Sequence, residues 1–196
     1  MKNKITIKDL CYMSIALSLL IVGSKISFNI GPIPLTLQTI MIAFICLLFK
    51  SKSIIIILVY ILMGLIGIPV FASGGGYVYL FKPSFGFIIG FLVQAICEAF
   101  INTDKIKTKP LFFIGTILKA WFGHIISVIV GVIYMWLIYK FYNGETKSIL
   151  SLIEVGVLPF ILKDTICVVI SSLIYIRLKD TILINYKPEI ILNNQE

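Results

Sequence analysis

The stretch between residues 35 and 68 decides the fold class. Residues 35–49 read LTLQTIMIAFICLLF, residues 50–53 read KSKS, and residues 54–68 read IIIILVYILMGLIGI. Each apolar run is long enough to cross a bilayer when its polar ends reach the headgroups. Two lysines in the middle of one long membrane helix would be costly. The pattern therefore predicts two short membrane spans that are joined by a turn at residues 50–53.

The rest of the chain has the same apolar character. Of its 196 residues, 59% are hydrophobic and 13% are charged, and the mean hydropathy is +1.06. In soluble domains, roughly 45–50% of the residues are apolar and about 25% are charged. The N-terminal apolar run lacks a small-residue cleavage site, so it predicts a span and not a targeting peptide. We predict one all-α membrane domain over residues 1–196, with six transmembrane helices at about 10–28, 35–49, 54–68, 84–101, 111–139 and 157–178.

The basic residues predict how these spans are oriented. With the N-terminus inside, the inner segments hold Lys2, Lys4, Lys8, Lys50, Lys52, Lys105, Lys107, Lys109, Arg177, Lys179 and Lys187. The outer segments hold only Lys25, Lys82, Lys140 and Lys147. The positive-inside rule therefore predicts a plasma-membrane protein with both termini on the cytoplasmic side. The net charge of +8 thus reflects the orientation of the spans, with contact to anionic lipid as an additional role, and no nucleic-acid partner is predicted.

Polar side chains enter the second predicted span at its outer end. Residues 31–39 read GPIPLTLQT, and the prolines favour an extended entry. Thr36 is explained either as a helix cap or as a ligand contact. Gln38 requires a partner, because an amide within lipid is costly when it is unpaired.

The outer connection at residues 67–84 combines glycines with aromatic residues. Three consecutive glycines, at 74–76, allow the backbone to approach a neighbour or a ligand closely. The aromatic rings could stack on a planar ligand or could belong to the interfacial aromatic belt. The candidate ligand-binding residues of this segment are Phe71, Tyr77, Tyr79 and Ser84.

The last predicted span begins with two opposite charges, Lys163 and Asp164, in an apolar run. Such charges usually face a bundle interior or a cavity. They could form an internal pair that only orients helices. Alternatively, Asp164 accepts hydrogen bonds from ligand N–H groups while Lys163 binds a ligand carboxylate. Lys119 and His124, in the fifth span, are weaker candidates, since a lone histidine is more often a satisfied helix contact.

Four strings together resemble the BioY family, the biotin-binding S-components of energy-coupling-factor vitamin transporters. They are GPIPLTLQT at 31–39, YILMGLIGIPVFA at 60–72, PSFGFIIGF at 83–91 and LPFILKD at 158–164. The resemblance extends over residues 10–178 and implies a six-helix S-component fold that encloses biotin beneath the outer loops. It also implies a membrane coupling subunit and two ATPases as partners. We expect the small residues Ser14, Ala16 and Ser18 of span one to dock the coupling subunit, although internal packing would explain them equally.

The chain departs from the family pattern around the acidic residue. The family has a glycine before the aspartate and a lysine three positions after it, whereas this chain has Lys163 before Asp164 and Cys167 at the lysine position. Because Lys163 lies one helical turn from position 167, its ammonium can occupy the same stripe. Lys82 and Phe85 replace glycines of the family, and the single arginine, Arg177, lies near the predicted cytoplasmic end.

Three alternatives follow from the same residues. The ligand could be another vitamin, such as thiamine or riboflavin. A proton-coupled carrier would use ionisable groups within the spans, but these are few and no inverted repeat is apparent. An intramembrane metalloprotease is disfavoured by one histidine and no HExxH motif. The four cysteines are scattered singly, so no metal site and no cofactor is predicted, and no Walker A motif is present for ATP hydrolysis.

Overall fold

The computed structural model describes residues 5–30, 33–103, 106, 108–145 and 147–185. The predicted inner residues Lys2, Lys4, Lys105, Lys107 and Lys187, and Gly31 and Pro32 of the first outer segment, lie outside the described residues. The helices are α1 (Ile7–Lys25), α2 (Gln38–Phe49), α3 (Ser53–Leu65), α4 (Phe85–Phe100), α5 (Lys109–Phe141), α6 (Ile149–Gly156) and α7 (Leu158–Asn185). Strands β1 (Ser27–Ile30) and β2 (Ile33–Thr36) lie between α1 and α2.

Four helical segments are long and apolar enough to cross a membrane: Ile7–Lys25, Gln38–Leu65, Lys109–Phe141 and Leu158–Lys179. The apolar helix Phe85–Phe100 is shorter. Within the second segment, a 3-10 turn at Lys50–Lys52 separates α2 from α3. The chain is therefore a multi-pass membrane protein, while the count of six crossings and their orientation remain predictions.

The chain is mostly helical, as the sequence predicts, but a short β-hairpin precedes α2. Strands β1 and β2 form an antiparallel hairpin in which Ser27 is opposite Thr36. Helix α2 begins at Gln38, and not at residue 35 as the apolar pattern predicts. Pro34 has no N–H group for a helix and restricts the residue before it to extended conformations. Pairing with β1 satisfies backbone groups that would otherwise meet lipid unpaired.

The bundle has two chemically different ends. One end, called here the hairpin end, carries the β-hairpin, the connection from α3 to α4 (residues 66–84) and α6. Helix α6 lies in a stretch that the sequence predicts as an outer loop. At the opposite end, Lys52 of the α2–α3 turn forms a 2.7 Å ion pair with Asp9, the residue that completes the N-terminal capping box of α1. This pair holds α1 against the α2–α3 turn.

Helices α4 and α5 pack closely along glycines. A Cβ at Gly86 would collide with Tyr134, and a Cβ at Gly90 would collide with the backbone carbonyl oxygen of Ser127. Helices α2 and α7 are joined by a hydrogen bond of 2.8 Å from the Ser171 hydroxyl to the carbonyl oxygen of Ile40. These two contacts place four helices around one interior space near the hairpin end.

Candidate functional site

A chamber of about 320 Å³ lies inside the bundle at the hairpin end. Strand β2, the 66–84 connection and helices α2, α4, α5 and α7 contribute its walls. A volume of this size is at the small end of the range for small-molecule sites, about 300–1,000 Å³. Much of the wall is aromatic, with side chains from Tyr79, Phe87, Phe91, Trp121 and Phe160.

A buried carboxylate lies at the centre of the polar part of the wall. Oδ1 of Asp164 accepts a hydrogen bond of 2.8 Å from the hydroxyl of Thr39 and forms an ion pair of 2.5 Å with Nζ of Lys163. Oδ2 lies 3.3 Å from Nε2 of His124. The Asp164 carboxylate is therefore held by groups from α2, α5 and α7.

The ammonium of Lys163 is fixed from the side of the hairpin. It donates to the backbone carbonyl of Thr36 at 3.0 Å and to the Thr39 hydroxyl at 3.2 Å. Because Lys163 has both an anionic and two neutral partners, the pair is satisfied within the protein. Its position in the chamber wall also leaves it close to any ligand that enters.

Gln38 has the partner that the sequence requires. Its Nε2 donates a hydrogen bond of 2.7 Å to the hydroxyl of Tyr60, which in turn donates to the carbonyl of Val70 at 3.2 Å. Its Oε1 accepts a bond of 3.1 Å from the Thr36 hydroxyl. This buried series of hydrogen bonds connects β2, α2, α3 and the 66–84 connection, so it fixes the part of the chamber wall that Thr36 and Gln38 form.

The predicted site residues divide into two groups. Those that line the chamber are Thr36, Gln38, Tyr79, Ser84, Lys163 and Asp164. Phe71 is fully buried and packs behind Tyr79, with their ring centroids 4.6 Å apart. Tyr77 is 71% exposed and lies outside the chamber wall. Phe71 therefore supports the wall from behind, and Tyr77 has no contact with the enclosed space.

Several lining residues are additional to the predicted ligand-binding residues, and one of them, His124, is only a weaker candidate in the sequence. Thr39 and His124 hold the Asp164 carboxylate, and Phe87, Phe91 and Trp121 form aromatic wall. A histidine within an apolar span was a signal for His124. The sequence did not mark Phe87, Phe91 and Trp121 as lining residues, because aromatic side chains are as common in a helix-bundle core as in a ligand site. Among the described residues, no group of His, Cys, Asp and Glu is placed to hold a metal ion.

The predicted docking residues of α1 do not share one face. Ser14 and Ser18 are exposed, whereas Ala16 is buried in the core at 6% exposure. The two hydroxyls donate to the carbonyls of Leu10 and Ser14, at 2.8 and 2.9 Å. A partner helix could therefore approach α1 at Ser14 and Ser18 and could not reach Ala16.

The helices and the chamber define the class of protein: a multi-pass membrane protein with an internal site for a small solute. The chain belongs to the BioY family, whose model matches residues 1–183. The resemblance drawn from the sequence motifs is thus confirmed. Family membership makes the chain a transport component and not an enzyme.

Similar proteins extend over most of the chain. The biotin transporter BioY2 of Lactococcus lactis is 30% identical over 168 residues, which cover 84% of this chain and 86% of that protein. The biotin transporter BioY of Thermotoga maritima is 31% identical, with 88% and 96% covered. A crystal structure of the S-component for biotin from an ECF-type ABC transporter superposes with a TM-score of 0.77 and 25% identity, covering 92% of this chain and 95% of that one.

Proposed function

We propose that this chain is the S-component of an energy-coupling-factor transporter and captures biotin in the chamber at the hairpin end. The observation that carries the proposal is the ion pair of the half-buried Lys163 with the buried Asp164 in an aromatic chamber of about 320 Å³. Relatives named as biotin transporters and the fold of a biotin S-component support it. The predicted orientation would open this end of the bundle to the outside of a bacterial plasma membrane.

The chemistry of biotin matches the chamber group by group. Its ureido ring offers two N–H donors, and Asp164 is the one carboxylate among the described lining residues. Its fused rings are largely apolar, and Tyr79, Trp121 and Phe160 offer rings for them. Its carboxylate requires a cation, which Lys163 supplies.

Binding must rearrange the hydrogen bonds that Lys163 makes in the empty chamber. Its Nζ already contacts Asp164, Thr36 and Thr39. A ligand carboxylate would replace the neutral contact to the Thr36 carbonyl with a charge-assisted bond. The ion pair with Asp164 can persist, so neither buried charge is left unpaired.

The ligand assignment can be tested with a vitamin panel and an uncharged analogue. Isothermal titration of the purified chain in detergent is expected to give a biotin dissociation constant below about 1 μM, which corresponds to about 8 kcal/mol. Thiamine and riboflavin should give no saturable heat. Tight binding of either vitamin in place of biotin would transfer the assignment to that ligand and overturn this one.

The role of Lys163 can be separated from general damage by a double comparison. Biotin and its methyl ester are titrated into the wild-type chain and into Lys163→Ala. A charge-assisted bond contributes about 1.5–3 kcal/mol, so the wild-type preference for biotin over the ester should be about tenfold or more. That preference should be clearly smaller in Lys163→Ala. An unchanged preference would show that Lys163 does not bind the carboxylate.

Delivery of the ligand requires partners that this chain does not contain. The sequence has no Walker A motif, and the family resemblance implies that separate ATPases hydrolyse ATP and that a membrane coupling subunit joins them to this chain. We propose that the exposed Ser14 and Ser18 on α1 form part of the docking face, where small residues allow close helix approach.

The docking face can be tested by co-purification. Replacing Ser14 and Ser18 with leucine should reduce recovery of the coupling subunit and leave biotin binding intact. The control is Thr165→Leu on α7, because Thr165 is half-buried on another helix and its hydroxyl also donates to a carbonyl four residues earlier. Full recovery of the coupling subunit with the double serine variant would refute this docking face.

A further inference from the structure

The only histidine of the chain lies inside the chamber. His124 is on α5 and is 7% exposed. The Trp121 ring packs edge-on against it, with a centroid distance of 6.0 Å. Its position against Asp164 makes it more than a helix contact, because it touches the carboxylate that we assign to ligand recognition.

The hydrogen bonds of His124 indicate its protonation state in the empty chamber. Nε2 lies 3.3 Å from Oδ2 of Asp164, so it carries a proton and donates. Nδ1 is buried and has no hydrogen-bond partner among the described residues. A second N–H at Nδ1 would be left unpaired, which is unfavourable in a buried site. The geometry therefore indicates a neutral imidazole with its proton on Nε2.

The two charges that line the chamber beside His124, those of Lys163 and Asp164, cancel before a ligand enters. Helix α7 presents Lys163, Asp164 and the buried thiol of Cys167, and α2 presents the uncharged Thr39 and Gln38.

Other polar groups lie close to His124 on α4 and α5. On α4, Glu98 lies against Gly123, the residue before His124, and accepts a hydrogen bond of 2.8 Å from Gln94. On α5 itself, Lys119 is buried a little more than one helical turn before His124. The 66–84 connection adds the Tyr79 phenol to the wall.

A monoanionic ligand disturbs this balance. It adds one negative charge to a chamber whose own charged pair, Lys163 and Asp164, is neutral overall. An unbalanced charge within a membrane protein is costly. Histidine is the side chain that ordinarily changes its charge between about pH 5 and 8. Of the described lining residues, His124 is thus the one suited to restore neutrality.

We propose that the chamber takes up its acidic ligand together with one proton, which His124 holds. The proton comes from solvent and adds to the lone pair of Nδ1, while the Nε2–H group stays directed at Asp164; no other bond is broken. The imidazolium offsets the ligand carboxylate. A ligand oxygen then gives the new N–H group an acceptor that the described residues do not provide. This inference rests on the proposed capture of a carboxylate-bearing ligand.

The test is the pH dependence of biotin binding between pH 6 and 8. Biotin stays ionised over this range, as aliphatic carboxylic acids do. Linkage of one proton allows at most a tenfold gain in affinity per pH unit, and we expect at least a threefold gain from pH 8 to pH 6. Titrations in buffers of different ionisation enthalpy should show net uptake of up to one proton. Biotin methyl ester, which is uncharged, should show neither effect.

His124→Gln isolates the titrating group. Its side-chain amide retains an N–H donor for Asp164 and cannot take up a proton, so its pH profile should be flat at whatever affinity it has. Glu145→Gln, which changes an exposed carboxylate that pairs with Lys147, should keep the wild-type slope. Because the chain has one histidine, ¹⁵N-histidine labelling should also show neutral-to-imidazolium conversion at pH 7 when biotin is added to the wild-type chain.

The outcomes separate this inference from the proposed function. Tight biotin binding with a flat pH profile and an unchanged histidine resonance overturns proton uptake and leaves biotin capture standing. A wild-type slope in His124→Gln overturns the role of His124. Absence of biotin binding at every pH overturns the proposed function and, with it, this inference.

Discussion

The hydroxyl of Thr39 lies 2.8 Å from Oδ1 of Asp164, although the two residues are 125 positions apart in the chain. The same hydroxyl accepts a bond of 3.2 Å from Nζ of Lys163. One threonine on α2 therefore contacts both members of the buried charged pair on α7. Since these bonds are made before any ligand enters, the pair is preorganised and little side-chain entropy remains to be lost on binding.

Thr39→Val should weaken biotin binding by about tenfold or more. The substitution keeps the shape of the side chain and removes its hydroxyl, and hydrogen bonds to charged groups contribute about 1.5–3 kcal/mol. Titration calorimetry of the two threonine variants measures the effect. Thr165→Val is the matched control, because its hydroxyl is exposed and donates only to the Ile161 carbonyl at 2.6 Å. Equal losses in both variants would contradict a specific role for Thr39.

Gly90→Ala should destabilise the protein. A Cβ at Gly90 would collide with the backbone carbonyl of Ser127 on α5, which cannot move without shifting the helix. Overpacking of this kind costs about 1–3 kcal/mol. In Gly115→Ala, the added Cβ would meet the flexible end of Ile106 at 2.9 Å, so the cost should be small. Midpoints of thermal unfolding in detergent check the difference, and equal midpoints would count against tight α4–α5 packing at Gly90.

Asp9 and Lys52 should behave as a coupled pair. Their side chains are 6% and 15% exposed, and the ion pair is 2.7 Å long. Removing one member of a largely buried ion pair costs about 3–5 kcal/mol, because the remaining charge loses the attraction that offset its desolvation. Asp9→Asn should therefore be more destabilising than Asp9→Asn combined with Lys52→Met. Additive losses in denaturant unfolding would show that the two residues are independent.

The membrane helices could be predicted from the sequence because lipid imposes one simple requirement, a long uncharged run. The charged pair in the chamber was predictable for the same reason, since Lys163 and Asp164 interrupt such a run. The β-hairpin was harder to predict from the sequence. The prolines at residues 32 and 34 indicate an extended chain. The polar residues of the partner strand Ser27–Ile30, Ser27 and Asn29, do not distinguish a strand from a polar end of the first apolar run.

Side-chain direction explains what else the sequence left open. Phe71 and Tyr77 are both aromatic residues of the same glycine-rich connection, so the sequence does not distinguish their roles. Phe71 is fully buried behind Tyr79, and Tyr77 is 71% exposed. Their placement depends on the left-handed backbone of Gly74 and Gly76, with φ of 111° and 102°. The periodicity of apolar residues does not indicate such a turn.

The orientation of the bundle should follow the lysine distribution. Single cysteines are introduced at Tyr77, in the 66–84 connection, and at Ser51, in the α2–α3 turn, after the four native cysteines are replaced. A membrane-impermeant maleimide added to intact cells should label Tyr77→Cys at once and Ser51→Cys only after permeabilisation. The reverse pattern would place the chamber entrance in the cytoplasm and contradict capture from outside.

Calorimetric titration of biotin into the wild-type chain, Asp164→Asn and Glu145→Gln tests most directly whether the chamber is the binding site. One site per chain is expected for the wild type and for Glu145→Gln, whose carboxylate is exposed and paired with Lys147. Asp164→Asn should bind at least tenfold more weakly, a loss of about 1.4 kcal/mol or more. Biotin binding of equal strength in all three proteins would contradict recognition by the Asp164 carboxylate in this chamber.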